Sequence, residues 1–334
     1  MKQGLHLYFG SIKSYGLENV PKDKPVLFLP NHQNALLDVL LIGVDCTRKP
    51  WFLTRSDVFK SKTLQTLFEI FQMIPIYRIR DGRESLKNNQ AIFDRCSDLL
   101  RTNEAIIMFP EGNHNLQRRV RPLSKGFTRI LFNTLDKTPD ADIQIVPVGL
   151  NYKDAVRFPD KVTVHFGKAI TLKDWYTPED EKLSIAQVKK VVTDQLKTLT
   201  THIEDEAEYD TIVSKLNAEG VNFLNPKEAN LKLKNTIKIG KKESKNKVGF
   251  IATLCNALFM LINAPVLIPW HFFIKPSVKE AEFLGTLRFA FAMIVYPIYY
   301  AVLLVLIGFV FNPLLGLFAL LGLLVFNWLF VKLS

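Results

Sequence analysis

Residues 289–331 contain no charged side chain. As one helix this run would be roughly 65 Å long at 1.5 Å per residue, about twice the ~30 Å hydrocarbon core of a bilayer. Asn312-Pro313 lies near its middle. Proline lacks the amide donor of the helix ladder and disfavours the helical region for the residue before it. The run therefore predicts two membrane spans, about 290–311 and 314–331, joined by a turn. The uncharged stretch 248–274 is also long enough to cross, but Pro265 and Pro269 interrupt it. Over 248–270 the chain is expected to span or to be re-entrant. A buried core helix is the alternative for apolar runs shorter than these.

The charge sits elsewhere. Residues 248–334 hold four basic residues (Lys275, Lys279, Arg288, Lys332) and two acids (Glu280, Glu282), so 39 of the 43 Lys and Arg and 30 of the 32 Asp and Glu lie in 1–247. A basic domain thus precedes an apolar tail, which argues against a purely soluble enzyme. Three scattered cysteines, Cys46, Cys96 and Cys255, exclude a disulfide scaffold. Lys232, Lys234, Lys238, Lys241, Lys242, Lys245 and Lys247 precede the apolar tail, against the single acid Glu243. Basic residues beside a span stay on the cytoplasmic side and attract anionic headgroups; they also suit a solvated linker. The first sixteen residues lack a sustained apolar core and a small-residue cleavage site, so they are not read as a secretory signal. The expectation is an integral membrane protein whose large domain faces the cytoplasm.

Within that domain short apolar runs alternate with amphipathic stretches. Strands are expected over 25–29, 51–54, 74–78, 104–109, 143–149 and 161–166, and helices over 35–43, 63–71, 84–101, 124–136 and 183–204. In the last helix Ile185, Val188, Val192, Leu196, Leu199 and Ile203 recur three or four apart, marking one face. Such alternation predicts an α/β fold: a mostly parallel sheet covered by helices, followed by a C-terminal α-helical anchor. The expected organisation is a domain over 1–204, a polar helix and basic linker over 205–247, and an anchor over 248–334.

Ligands of parallel sheets gather beyond the carboxyl ends of the strands, so the residues there carry the chemistry. After the first expected strand comes Asn31-His32-Gln33-Asn34-Ala35-Leu36-Leu37-Asp38. A carboxylate that accepts from one imidazole nitrogen fixes the tautomer and leaves the other nitrogen to take a proton from a hydroxyl. A His near an Asp can equally be a structural pair. No Ser or Cys occupies a nucleophile-elbow setting, and Cys46 is read as inert, so direct attack by a substrate hydroxyl is the simpler chemistry. Arg78, Arg80 and Arg83 follow the third strand; they suit an anion held in guanidinium forks or a solvated loop. The fourth strand runs into Phe109-Pro110-Glu111-Gly112-Asn113-His114-Asn115, then Arg118, Arg119, Arg121 and Lys125. A Glu ending an apolar strand needs a partner or a task. Pro147 inside Val146-Pro147-Val148 argues for a strand end, an edge or a bulge.

In this order the four blocks resemble the glycerophospholipid acyltransferase family, which includes lysophosphatidate and glycerol-3-phosphate acyltransferases; the resemblance covers about residues 10–170. It implies that His32 and Asp38 are catalytic, that Asn31, Arg78, Glu111, Gly112, Arg121 and Pro147 bind substrate, and that no metal is needed. His32 would deprotonate an acceptor hydroxyl, which attacks the thioester of acyl-CoA or acyl carrier protein, the donor being a co-substrate and no cofactor being required. Arg78 would hold the acceptor phosphate. Two departures stand out. Five residues separate His32 from Asp38 where the family has four, with Leu37 at the usual Asp position. This longer spacing resembles a branch acting on glycerol-3-phosphate or dihydroxyacetone phosphate. Asn113-His114-Asn115 replaces the common Thr-Arg-Ser, so Arg118, Arg119 or Arg121 is left to replace the missing Arg.

The implied function is membrane-bound acyl transfer from a thioester to a hydroxyl of glycerol-3-phosphate or dihydroxyacetone phosphate in phospholipid biosynthesis. The alternative acceptor is lysophosphatidate or another lysophospholipid. The expected partners are the phosphorylated acceptor, the acyl donor and the bilayer. The pI near 9.4 also fits a membrane-anchored nucleic-acid-binding protein, but the chain has no aromatic-interleaved basic face and no nucleic acid is expected. A transporter is disfavoured by the absence of intramembrane charge.

Overall fold

The computed structural model describes residues 1–56, 70–77, 89–236 and 250–334. Arg78, Arg80, Arg83, almost all of the helix expected over 63–71 and the lysines from Lys238 to Lys247 lie outside the described residues. Eight strands form one mixed sheet: β1 (Ser11–Tyr15), β2 (Val26–Pro30), β3 (Trp51–Arg55), β4 (Met73–Ile76), β5 (Ala105–Ile107), β6 (Gln144–Tyr152), β7 (Lys161–Phe166) and β8 (Ile170–Thr171). Their order is β1-β7-β6-β2-β5-β3-β4, with β8 beside β6. From β6 to β4 every pairing is parallel, and β1 is parallel to β7. Only β6 with β7 and β6 with β8 are antiparallel.

β2 lies inside the sheet and shows why both faces are covered. Its side chains alternate across the sheet. Leu27 and Leu29 join one core with Phe127, Ile130 and Val188, whereas Val26 and Phe28 join the other with Leu5, Leu37 and Leu41. Helices α1 (Lys2–Tyr8) and α2 (Ala35–Asp45) cover the second face; α3 (Asn89–Arg101), α4 (Gly126–Lys137) and α5 (Glu181–Leu199) cover the first.

β1 escaped the sequence reading because Ser-Ile-Lys-Ser-Tyr has no apolar run; it is an edge strand, half solvated. By sequence Pro147 argues for a strand end, an edge or a bulge; the strand that carries it lies inside the sheet and runs on to Tyr152. Proline is tolerated because β8 pairs with Gln144 and Ile145 while β7 pairs from Val148 onward. Pro147 falls between the two ladders, where its missing N–H breaks neither, and its carbonyl accepts from Gly167 N–H at 2.8 Å.

The polar stretch after 204 is two helices, α6 (Tyr209–Ala218) and α7 (Pro226–Thr236), around a small core of Ile203, Leu216, Val221, Phe223 and Ala229. It packs on the sheet domain: Asn230 Nδ2 donates to the carbonyls of Lys197, in the last turn of α5, and Thr200, just after it, at 3.0 and 2.9 Å.

At the C-terminus two helices are long and apolar enough to cross a membrane, Ala281–Val310 and Pro313–Leu333; α10 (Leu284–Val310) forms most of the first and α11 (Pro313–Leu333) is the second. The first begins before residue 290, where the charge on Arg288 had ended the sequence pattern. Arg288 sits inside the helix because its guanidinium faces protein, donating to Val156 O at 2.9 Å. Before these lie α8 (Phe250–Ile262) and α9 (Ala264–Pro269), bent by 77° at a break beside Asn263. The bend is pinned by a reciprocal amide pair, Asn263 with Asn327 at 2.9 and 3.0 Å.

Both ends of the α10–α11 hairpin dock on the sheet domain. Thr286 Oγ1 donates to Asn34 O at 3.2 Å, and Lys332 Nζ donates to the carbonyls of His6, Phe9 and Gly10 at 2.7–3.2 Å. A Cβ on Gly285 would lie 2.5 Å from Asn34 Oδ1, so only glycine lets the helix backbone approach this loop so closely.

Candidate active site

The site is assembled where β2 and β5 end. Asn31 leaves β2 and locks onto β6: its Nδ2 donates to Leu150 O at 3.1 Å, and its Oδ1 accepts from Leu150 N–H at 2.7 Å. The chain then turns into α2, and Asp38 points back from its first turns. Asp38 is fully buried and accepts four hydrogen bonds. Its Oδ2 receives the N–H groups of Gln33 and Asn34 and the Nδ1–H of His32, all at 2.8 Å. Its Oδ1 receives the hydroxyl of Tyr152 at 2.5 Å. The extra residue between His32 and Asp38 is absorbed at Ala35, whose φ of 39° is left-handed, a conformation that costs a non-glycine residue roughly 1–2 kcal/mol.

Because a carboxylate only accepts, the bond to Asp38 assigns the proton to His32 Nδ1 and leaves Nε2 as the acceptor of the neutral ring. The imidazole stacks on Phe109, centroids 3.6 Å apart and planes at 15°, and its side chain is 11 % exposed. The His32 carbonyl accepts from Asn115 N–H at 2.9 Å, which ties the β5 loop to the β2 loop. His114 stands beside His32, ring centroids 4.5 Å apart.

Glu111 ends the β5 segment nearly buried, its side chain 2 % exposed. Burial pushes its carboxyl pKa up, and the Arg121 guanidinium partly offsets this. Arg121 donates from Nε and Nη2 to Glu111 Oε2 at 2.8 and 2.5 Å, and from Nη1 to Asn113 Oδ1. Gly112 takes a left-handed φ of 80° between them. Of the three arginines left to replace the missing one, Arg121 alone joins Glu111. Arg118 donates to the carbonyls of Tyr152 and Lys153 and lies over the Phe223 ring. Arg119 pairs with Glu206 at 2.7 Å.

Removing Arg121 leaves Glu111 buried without its cation. Arg121→Ala is expected to destabilise the fold by ~3–5 kcal/mol at neutral pH. The sign follows from the raised pKa: a carboxyl raised in the folded state contributes stability below its unfolded pKa and loses it as pH rises through the folded value. The deficit of Arg121→Ala should therefore shrink on acidification, as Glu111 takes up its proton. Melting temperatures of variant and parent between about pH 5 and 8 measure this; a pH-independent gap would contradict it.

The structure brings together Asn31, His32, Asp38, Glu111, Gly112 and Arg121. Pro147 stays in the sheet opposite Leu29, three residues before His32 on the neighbouring strand. Arg78 lies outside the described residues. Sequence reading missed Tyr152, the last residue of an all-buried strand; a tyrosine hydroxyl at such a place needs a partner, which is the signal that could have found it. Burial and Asp38 hold the Tyr152 hydroxyl pKa far above the usual value, so it stays a donor. It also missed Phe283, edge-on to His114 at 4.8 Å, and Arg55 at the end of β3, 5.8 Å from the Phe283 ring.

A family model described as Acyltransferase matches residues 11–151. Glycerol-3-phosphate O-acyltransferase 1 of Saccharomyces cerevisiae is 25 % identical over 131 residues, 38 % of this chain and 17 % of that protein. A 1-acyl-sn-glycerol-3-phosphate acyltransferase of Chlamydomonas reinhardtii is 27 % identical over 173 residues, 48 % of this chain and 47 % of that protein. The crystal structure of the 1-acyl-sn-glycerophosphate acyltransferase PlsC from Thermotoga maritima aligns with a TM-score of 0.41 at 19 % identity, covering 56 % of this chain and 69 % of that one. The matches span less than half the length of these curated relatives. The family match over residues 11–151 and the curated relatives support a glycerophospholipid acyltransferase family for the sheet domain.

Proposed function

We propose that the chain transfers a fatty acyl group from an acyl thioester to a hydroxyl of glycerol-3-phosphate or dihydroxyacetone phosphate at a membrane surface. The observation that carries this reading is the His32–Asp38 pair at the strand ends, with His32 Nε2 left to accept a proton. Nε2 takes the proton of the acceptor hydroxyl as that oxygen bonds to the thioester carbonyl carbon. The tetrahedral intermediate then breaks its carbon–sulfur bond, and the leaving thiolate takes the proton from His32. Asp38 stabilises the imidazolium between the two steps. The thioester is already activated, so the reaction as proposed uses no metal and no cofactor beyond the donor.

The acceptor phosphate is assigned to Arg78, on the sequence block, and to the Glu111–Arg121 corner. A guanidinium can hold two phosphate oxygens, whereas an ammonium acts as a point charge. Arg78→Lys is expected to weaken the acceptor by ~1.5–3 kcal/mol, the range for a charged hydrogen bond. Steady-state kinetics with acceptor and donor varied separately measure this. An unchanged acceptor response beside a weakened donor response would assign Arg78 to the donor.

The α10–α11 hairpin is proposed to lie in the bilayer, with the sheet domain on the side where both its ends dock. The basic residues before 250 favour the cytoplasmic face. Acylation of lysophosphatidate is the second reading, supported by the name of the Chlamydomonas reinhardtii relative. An acceptor panel of glycerol-3-phosphate, dihydroxyacetone phosphate, lysophosphatidate and lysophosphatidylcholine with one labelled thioester tests the choice. Preference for either of the first two supports the first reading; preference for lysophosphatidate replaces it with the second.

A further inference from the structure

Between the bent α8–α9 pair and the α10–α11 hairpin lies a cavity of about 400 Å³, within the ~300–1,000 Å³ of small-molecule sites. Its walls are apolar and aromatic, from Phe259, Leu267, Phe291 and Tyr296. Its polar end carries Arg288 and Lys275, with His271 beside them, and no Asp or Glu lines it among the described residues. The Arg288 guanidinium stands 5.6 Å from the Trp270 ring centroid and 6.0 Å from that of Phe158. Its Nη2 donates to Val156 O and the Tyr8 hydroxyl lies beside the guanidinium, but its Nη1 is buried with no hydrogen-bond partner within range. A desolvated guanidinium donor left unpaired is unfavourable; an anion placed in the cavity would satisfy it.

The cavity's position decides what that anion is attached to. Arg288 is two residues beyond Thr286, which bonds Asn34 O on the sheet domain. The basic end of the cavity thus sits at the docked, polar end of the hairpin, and Phe291 and Tyr296 carry its apolar wall along α10 away from it. Charge at headgroup level over an apolar slot matches an amphiphile. Neither His32 nor Glu111 lines it, so it is separate from the acyl-transfer site.

We propose that this cavity holds one bilayer phospholipid with an anionic headgroup, its phosphate on Arg288 Nη1 and Lys275 and one acyl chain between the aromatic walls. The proposal rests on the hairpin lying in a bilayer.

The test is native mass spectrometry of the full chain in neutral detergent, titrated with dioleoyl phosphatidylglycerol or dioleoyl phosphatidylcholine. The parent chain should retain one phosphatidylglycerol, at least about tenfold more tightly than the zwitterionic lipid. Arg288→Gln should weaken retention by about tenfold or more, and exposed Lys275→Gln by a smaller factor. Because Arg288 also bonds Val156, Ala292→Phe provides an independent variant: it fills the cavity without touching that bond and should also expel the lipid. Retention should survive His32→Ala and an excess of inorganic phosphate. Equal retention of the two lipids would overturn the proposal, as would unchanged retention in both Arg288→Gln and Ala292→Phe. Displacement by inorganic phosphate would make it a free-phosphate site, and loss of lipid in His32→Ala would assign the lipid to the reaction site. A parent chain that carbonate strips from membranes would overturn the bilayer reading and this proposal together, whereas a chain that stays yet ignores Arg288 overturns this proposal alone.

Discussion

His32→Ala is expected to lower turnover by about 100- to 10,000-fold, the contribution of a positioned general base. The effect should fall on kcat more than on KM. His32 is aimed by Asp38 and stacked on Phe109, so its loss removes the proton acceptor while leaving the Glu111–Arg121 corner in place. His114 is the control. Its ring is 4.5 Å from His32 by centroid, near enough to compete for the role, but no bond to Asp38 orients it. His114→Ala should therefore lower turnover much less. A variant pair with the opposite order would move the base to His114.

Asp38→Ala should damage both the chemistry and the fold. The buried carboxylate holds four donors, and truncation leaves the N–H groups of Gln33 and Asn34 and the Tyr152 hydroxyl without their acceptor. Each orphaned buried group costs about 1–3 kcal/mol, so a loss of ~3–5 kcal/mol is expected after partial relaxation. Asp38→Asn separates the two effects. Its amide oxygen at the Oδ2 position can keep the two backbone donors and His32 Nδ1–H, but it carries no negative charge to stabilise the imidazolium, and its NH₂ faces the Tyr152 hydroxyl. Turnover should fall with Asn nearly as far as with Ala, while the melting temperature falls much less. Tyr152→Phe, which removes one donor and leaves His32 bonded, should cost more stability than turnover.

How far the site could be read in advance depended on sequence separation. His32 and Asp38 are six residues apart on one strand-to-helix turn, so the pair could be proposed from spacing together with the four ordered blocks, even with one residue more than usual. The left-handed Ala35 that accommodates it has no sequence signature, because alanine does not advertise a positive φ. Tyr152 bonds Asp38 across 114 residues, and only the β2–β6 pairing brings them together; hydropathy shows that each strand is buried and not which strand lies beside it. Arg118 is one of three candidates for the missing arginine, yet its donors go to the carbonyls of Tyr152 and Lys153 and its face to Phe223. At the tail, length and missing charge made the hairpin legible, and Asn312 does cap the second helix, accepting from Leu315 N–H at 2.7 Å. The docking of Gly285 and Thr286 on the His32 loop was not legible, since nothing local couples residue 34 to residue 286.

The reaction proposed for this site is direct acyl transfer to a hydroxyl with His32 as base. Its most direct measurement incubates the full chain with radiolabelled acyl-CoA and glycerol-3-phosphate, and follows the label in lipid and in protein. The expected result is label in acylglycerol-3-phosphate with the parent chain, none held covalently on the protein, and little product with His32→Ala. Equal product from the folded His32→Ala variant, or label that resides on the protein before it reaches the acceptor, would contradict it.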